Sequence, residues 1–397
     1  MHRQFLLHIL LLWLAGNALR LTILAVPPVI PAIHQDLHLT ATAVGILGGL
    51  PVALFAAAAL PGSLLIARIG PVRALVAGLV ISAVGGALRG AVPAVWWLYA
   101  MTIVTGAGVA VMQPALPALV RRWAPQRIGF ATAVFTNGLL VGETLPVLLM
   151  LPLVLPLVGT WQWGLAAWSL PVLAIAVLVM VTTRENGAAK PAPAKPAGST
   201  PAPAQPARWW PDWRNGLIWR LGLIFGSVNA MYFALNTFLP DYLTSQSRGD
   251  LISPALSALN FGQLPASVIL LAMASRLERR AWPYVVFGIF SLASVVGIAT
   301  SASAWTVVWA ALFGFSAAGV LVLALAVPPM LCAPEDVAPV TAAVLTVSYS
   351  LAMIVAVVSG LAWDATHIPT MAFVPMGLCA LILFVLPQTL PFGRGKS

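Results

Sequence analysis

The chain has 397 residues, of which 60% are hydrophobic and only 8% are charged, and its mean hydropathy is +0.97. Soluble domains carry about 25% charged residues, so this composition excludes an ordinary soluble globule and indicates a membrane protein. The formal net charge of +10 could indicate a nucleic-acid partner, but the placement of the basic residues along the chain accounts for it differently.

Apolar segments long enough to cross a bilayer as helices recur along the whole chain. The first segment begins like a secretory signal, but its apolar stretch continues past Arg20 without a small-residue cleavage site, so we interpret it as a span. We predict twelve spans, numbered 1 to 12, at about 5–33, 42–67, 73–91, 96–120, 130–157, 162–182, 215–240, 253–275, 283–302, 305–330, 338–363 and 370–387.

The distribution of basic residues predicts the orientation of these spans. If the N-terminus lies in the cytoplasm, all but three of the 20 lysines and arginines fall on the cytoplasmic side; the exceptions are Arg20, Arg89 and Arg248. This asymmetry follows the positive-inside rule, so we expect a multi-pass inner-membrane protein with both termini in the cytoplasm and no nucleic-acid partner. Tryptophans at span ends predict an aromatic belt: Trp96, Trp97, Trp161, Trp163, Trp282, Trp305 and Trp363.

An Ala/Pro-rich segment, "AAKPAPAKPAGSTPAPAQPA", separates spans 6 and 7. Such a composition gives an extended spacer, so we predict an N-terminal six-helix bundle (1–187), a cytoplasmic linker (188–212) and a C-terminal six-helix bundle (213–397). Three weak matches relate the two halves: Gly16 with Gly226, "GGLP" at 48–51 with "GQLP" at 262–265, and "ATAVFT" at 131–136 with "TAAVLT" at 341–346. Their common order predicts a duplicated unit and hence two pseudo-symmetric bundles of the major facilitator type.

An arginine stands in the middle of span 1, within "GNALRLTIL". An arginine at that depth is unfavourable by about 2.5–3.5 kcal/mol on insertion scales, so Arg20 is expected to face the bundle interior. Asn17 shares its helix face. The functional interpretation is a cationic site for a polar or anionic solute; the alternative is a buried charge pair that only fixes helix packing.

Glu143 is the only acid within the predicted spans, at nearly the depth of Arg20. The two side chains could pair across the N-terminal half. Glu143 is then a candidate proton-coupling carboxylate, with a permanently charged counter-ion as the alternative.

Other polar residues in the spans are candidates for the cavity wall. Arg89, near the end of span 3, either lines the pathway or extends to the membrane interface, and Gln113 in span 4 either lines the cavity or packs. In the C-terminal half, Asn229, Tyr232 and Asn236 form one helical stripe. Gln263, Ser348 and Tyr349 are weaker candidates, and hydrogen bonding between helices is the alternative for all of these neutral side chains.

Enzyme signatures are missing from the sequence: it contains no P-loop, no HExxH, no G-x-S-x-G and no metal-ligand cluster. We therefore expect neither an enzyme nor a bound cofactor or metal.

Five segments carry a resemblance to a known family: "GNALR" (16–20), "GLPV" (49–52), "GALRG" (86–90), "GAGVAVMQPALPALVRRWAPQR" (106–127) and "GSVNAMYFALNTFLPDYL" (226–243). The sequence resembles the cyanate and 2-nitroimidazole transporter group of the major facilitator superfamily. It departs from that group at Leu21, where a proline usually follows the arginine, and at Ala67, where the superfamily's loop motif places an acid. The resemblance implies twelve helices, alternating access, and a substrate cavity containing Asn17, Arg20, Arg89, Gln113, Asn229 and Tyr232.

These observations lead to three hypotheses about function. The first is a monomeric secondary transporter of a small anion such as cyanate, with possible proton coupling. The second is a proton-coupled exporter of a neutral or cationic nitroaromatic or drug-like compound, which a tight Arg20–Glu143 pair would favour. The third is a membrane sensor or scaffold that does not transport, which we disfavour because neither the linker nor the short C-terminal tail holds a signalling domain.

Overall fold

A computed structural model describes residues 2–183, 211–266, 268–269, 277, 280–332 and 336–390. These residues are almost entirely helical, and no strand occurs among them. The predicted linker at 188–212 lies almost wholly outside the described residues, so the division of the chain at that linker stays a prediction.

The predicted spans correspond to helices in chain order. The first half contains His2–Leu24 and Ile30–Leu37 (span 1), Ala41–Ile69 (span 2), Pro71–Leu88 (span 3), Val95–Trp123 (span 4), Ile128–Leu149 and Leu155–Val158 (span 5), and Trp161–Thr183 (span 6). The second half contains Gly216–Ser245 (span 7), Ile252–Phe261 (span 8), Trp282–Thr300 (span 9), Trp305–Leu331 (span 10), Val337–Thr366 (span 11) and Val374–Val385 (span 12).

Ten helical segments among the described residues are long and apolar enough to cross a membrane. Span 2 contributes a shorter apolar helix, Ala41–Ala57, and the described part of span 8 is shorter than a full crossing. We name the membrane face reached at the ends of spans 1, 3, 5, 7, 9 and 11 the far face, and the opposite face, where the N-terminus lies, the near face.

Helix packing is the same in the two halves. In the first half span 1 packs on span 5, span 3 on spans 4 and 6, and span 2 on span 4. In the second half span 7 packs on span 11, span 9 on spans 10 and 12, and span 8 on span 10. Adding six to each span number of the first half gives the pairs of the second half. The contacts between the halves are also equivalent, because span 2 packs on span 11 and its counterpart, span 8, packs on span 5. Two pseudo-symmetric six-helix bundles are therefore present.

The matched glycines Gly16 and Gly226 illustrate this symmetry. Gly16 approaches the backbone of span 5 at Phe135, and Gly226 approaches span 11 at Ser348 and Leu351. At both positions a Cβ atom would crowd the partner helix, which explains why glycine recurs where spans 1 and 5, and spans 7 and 11, cross closely.

Three expectations about the spans need correction. Span 1 is not one continuous helix, because Pro27 and Pro28 interrupt it with a 3₁₀ turn. Glu143 is not the only acid in a spanning helix, because the helices of spans 7 and 11 run on toward the far face and include Asp241 and Asp364. Trp161 is buried, not placed in an interfacial belt, because its indole donates to a carboxylate oxygen of Asp36 over 3.0 Å.

Candidate functional site

The centre of the molecule holds an ion pair between Arg20 and Glu143. Arg20 lies one turn before the break in span 1, and Glu143 lies in the middle of span 5, so the packing of these two spans sets them at one depth. Arg20 Nε is 3.1 Å from Glu143 Oε1, and both side chains are almost fully buried. The question left open by the sequence is thus answered: the acid and the arginine pair.

The carboxylate of Glu143 also contacts the second half of the molecule. Gln263, from span 8, donates from Nε2 to Glu143 Oε2 over 3.1 Å. Tyr232, from span 7, lies beside the same carboxylate, and its hydroxyl donates to Asn260 Oδ1 over 2.6 Å. Glu143 therefore belongs to a polar cluster, the central cluster of Arg20, Glu143, Gln263, Tyr232 and Asn260, that bridges the two halves.

Two aromatic rings flank the guanidinium of Arg20. Its Cζ lies 5.5 Å from the ring centroid of Phe55 in span 2 and 5.8 Å from that of Phe233 in span 7. Rings at this distance attract a cation through their quadrupole. They also leave apolar walls around the charge, so a small planar solute could stack beside Arg20.

The remaining candidates form separate contacts around this cluster. On the near-face side, Gln113 Nε2 is 3.5 Å from the hydroxyl of Tyr349, whose ring packs edge-on against Phe55. Within the second half, Asn229 donates to Ser348 Oγ over 2.9 Å. These pairs join span 4 to span 11 and span 7 to span 11.

Asn17 and Asn236 each bond to their own helix. Asn17 donates to the carbonyl of Trp13 over 3.0 Å, and Asn236 donates to that of Tyr232 over 2.9 Å. Each amide nitrogen thus uses one of its two hydrogens within its own helix, and the second hydrogen and the amide oxygen are left to face other groups.

Arg89 lies in a different cavity. It is 1% exposed, so the alternative that it extends to the membrane interface is wrong. The structure brings it together with Asn236, not with Arg20: both line a pocket on the far-face side of the central cluster that also includes Thr102 and Phe233.

Polar contacts between the halves close the far face. His34 Nδ1 is 2.8 Å from Asp241 Oδ2. Asp364 of span 11 accepts from the backbone nitrogens of Ala41 and Thr42 at the start of span 2. Among hydrogen bonds between described residues, none joins the halves on the near-face side of Gln113 and Tyr349. The structure is therefore of a state closed at the far face.

Sequence reasoning missed Phe55, Phe233, His34, Asp241 and Asp364. The two phenylalanines carry no signal, because an aromatic residue in an apolar run is ordinary. The other three offered a usable signal: each is an ionisable residue close to a predicted span end, where it can meet a partner from the other half.

Comparison with known proteins agrees with this architecture. The sequence matches the Major Facilitator Superfamily over residues 12–357, and the chain belongs to that family. It is 25% identical over 274 residues to the cyanate transport protein CynX of Escherichia coli, covering 68% of each chain. It is 24% identical over 315 residues to the 2-nitroimidazole transporter of the same organism, covering 78% of this chain and 76% of that protein.

Solved structures share the fold. A bacterial homolog of the human lysosomal transporter Spinster, in an inward-facing and unoccupied conformation, superposes with a TM-score of 0.71 at 17% identity, covering 97% of this chain and 96% of that one. The nucleoside transporter NupG gives a TM-score of 0.72 at 9% identity, covering 96% and 98%. The protein is thus a multi-pass membrane transporter with the major facilitator fold, and the resemblance inferred from its motifs is confirmed.

Proposed function

We propose that this protein moves a small anion, such as cyanate, together with a proton by alternating access between its two halves. The observation that supports this most directly is the Arg20–Glu143 pair at the centre, whose carboxylate also accepts from Gln263 of the other half. In the positive-inside orientation the far face is extracytoplasmic, so a state closed there opens toward the cytoplasm.

Charge balance explains why the anion and the proton would move together. With no solute bound, Arg20 and Glu143 neutralise each other, and the buried centre carries no net charge. An anion at Arg20 would leave a buried carboxylate uncompensated, which is strongly unfavourable in a low-dielectric interior. A proton on Glu143 removes that charge and releases Arg20 to the anion. The empty and fully loaded carriers are then both neutral at the centre, and only these two cross between states.

The other candidate residues take supporting roles in this proposal. Tyr232 and Gln263 hold the Glu143 side chain, while Phe55 and Phe233 form the walls beside the guanidinium. Gln113 with Tyr349, and Asn229 with Ser348, form polar walls on spans 4, 7 and 11. The protein would act as a monomer in the inner membrane with both termini in the cytoplasm.

A second candidate function is proton-driven export of a neutral or cationic nitroaromatic compound. Two observations favour it: the rings of Phe55 and Phe233 flank the charge, and the chain is 24% identical to a protein named as a 2-nitroimidazole transporter. In that mechanism the compound displaces Arg20 from Glu143 or stacks on the rings, and no anion is needed.

Transport of labelled cyanate into proteoliposomes tests the first proposal, with Arg121→Gln as a control at an exposed arginine. We expect an inward proton gradient to drive accumulation in wild type. Arg20→Ala should lower the rate by at least about 100-fold, because the buried anion loses its counter-charge. Glu143→Gln should still exchange internal for external cyanate but should not accumulate it, because its neutral side chain releases Arg20 permanently.

Two results would count against cyanate–proton coupling. If wild type fails to take up cyanate while a control carrier is active, the anion is wrong, and 2-nitroimidazole efflux becomes the next assay. If Glu143→Gln accumulates cyanate as wild type does, the proton does not travel on Glu143.

A further inference from the structure

Arg89 is a buried cation that, unlike Arg20, meets no acidic partner in the part of the chain that the structure describes. Its Nη1 donates to the carbonyl of Thr22 over 2.7 Å, whereas Nε and Nη2 have no acceptor among the described residues. Among the basic side chains of those residues, only Arg20 and His34 lie within 4.0 Å of a carboxylate oxygen. A buried charge is strongly unfavourable unless it is paired, so this guanidinium requires a counter-charge that the described residues do not supply.

The cavity beside Arg89 is polar on two sides. Thr102 is 1% exposed, and its hydroxyl has no partner among the described residues. It can therefore donate into the cavity next to the two free nitrogens of Arg89. On the other wall, the Oδ1 atom of Asn236 is buried without a donor in the described chain. Three unused donors and one unused acceptor thus line one small space.

The size of this space limits what it can hold. Its volume is about 30 Å³ on a scale where one water needs about 10–15 Å³, so it admits about two water-sized particles. A small monovalent anion against Arg89 and Thr102, with one water between it and Asn236 Oδ1, satisfies every unused polar atom. A divalent anion would leave a net negative charge, and an organic acid is too large.

The pocket lies on the path between the far face and the central cluster. It is lined by Phe233, whose ring centroid also lies 5.8 Å from the guanidinium carbon of Arg20, and by Val26 and Pro27 at the break in span 1. The closure at His34 and Asp241 joins the helices that follow, at the ends of spans 1 and 7. An anion held at Arg89 would therefore have Phe233 as a neighbour in common with Arg20.

We infer that the pocket of Arg89, Thr102 and Asn236 is a second anion site, distinct from Arg20, that binds a small monovalent anion when the far face is closed. This site goes beyond the proposed function, because it does not require the protein to transport cyanate. It places two cationic sites in series, one neutralised by Glu143 and one neutralised by an anion from solution.

Thermal unfolding of the purified full chain in detergent tests this inference, with sodium bromide replacing sodium gluconate at constant ionic strength. Bromide should raise the Tm of wild type along a saturable curve. Arg89→Gln should abolish this dependence, because it removes the positive charge from the pocket. Arg121→Gln, at an exposed arginine, is the matched control and should retain the bromide response. Arg20→Gln removes the other buried arginine: its Tm should be lower, because Glu143 loses its partner, but bromide should still raise it.

Two further variants protect the test against a misfolded Arg89→Gln protein. Arg89→Lys keeps the positive charge and should retain a weakened response. Thr102→Val keeps the shape of the pocket and removes one donor to the anion, so it should weaken bromide affinity by about tenfold.

The outcomes separate this inference from the proposed function. A wild-type Tm that is indifferent to bromide, or a response lost in Arg20→Gln and kept in Arg89→Gln, would overturn the second site. The measurement involves no transport, so a failure of cyanate uptake leaves it unaffected. Conversely, proton-driven uptake through Arg20 and Glu143 could be demonstrated even if bromide never binds at Arg89.

Discussion

Two buried arginines in the same half of the molecule have opposite surroundings. Arg20 meets Glu143, and that carboxylate in turn accepts from Gln263 across the interface of the halves. Arg89 meets one backbone carbonyl and has no acid within ion-pair distance among the described residues. Both charges are removed from water, but within the described ranges only the first meets a carboxylate that neutralises it. The charge of Arg20 is thus neutralised by a side chain, and the charge of Arg89, on our inference, is neutralised by an anion from solution.

The largest expected effect comes from making Arg20 resemble Arg89. Glu143→Leu leaves the central guanidinium without its partner, and we expect a loss of about 3–5 kcal/mol in the free energy of unfolding. The double variant Arg20→Leu, Glu143→Leu should recover most of that loss, because no unpaired charge remains. Reversible unfolding in mixed micelles measures the free energy of unfolding of the single and the double variant. Equal stability of the single and double variants would mean that the pair does not neutralise a buried charge.

A smaller effect is expected from removing the contact of the second half with the pair. Gln263→Leu deletes the donor to Glu143 Oε2, and we expect a loss of about 1.5–3 kcal/mol, as for hydrogen bonds to charged groups. Gln263→Glu would place a second acid beside Glu143 and should lower the free energy of unfolding further. Comparing these variants in the same micelle assay shows whether the central cluster stabilises the interface. An unchanged free energy of unfolding in Gln263→Leu would mean that the Gln263–Glu143 hydrogen bond does not stabilise the contact between the halves.

The smallest effect is expected at the far face, where His34 is partly exposed. Asp241→Asn weakens its contact with His34, which we expect to stabilise closure by about 1 kcal/mol, or roughly fivefold in the ratio of closed to open states. The test uses a cysteine at Val26, which lines the Arg89 pocket, in a chain whose two native cysteines, Cys332 and Cys379, are replaced by serine. A maleimide added from the far face should react faster in the Asp241→Asn variant. Identical rates would show that His34 and Asp241 do not hold the closure.

Much of the fold could be predicted from the sequence. Apolar runs separated by basic loops predict the spans, and weak internal matches such as Gly16 with Gly226 predict two equivalent halves, because close helix crossings require small residues at equivalent positions. The interruption of span 1 was not predicted, since hydropathy does not register a pair of prolines that leaves the segment apolar. Nor did hydropathy reveal that the helices extend to Asp241 and Asp364.

The site could be predicted only in part. A common depth for Arg20 and Glu143 follows from counting residues, and the structure shows that the two pair. Counting does not reveal the helix face, which decides that Arg89 points into a buried pocket instead of the interface. It also does not reveal that Gln263 reaches Glu143, because the register of span 8 against span 5 depends on packing between the halves.

Asp364 gives the closed far face a property that a salt bridge would not provide. Its two oxygens accept the backbone N–H groups of Ala41 and Thr42, the first residues of the helix of span 2, and also the Thr42 hydroxyl. A carboxylate from one half therefore caps a helix of the other half and faces the positive end of its dipole. If the halves rock apart as proposed, this helix end exchanges its Asp364 contacts for water, while the Thr40 side chain can keep its own bond to the Ala43 nitrogen. On that proposal the start of the span 2 helix would take part in opening the far face, and the lost capping contacts, about 0.5–2 kcal/mol, would stabilise the closed state.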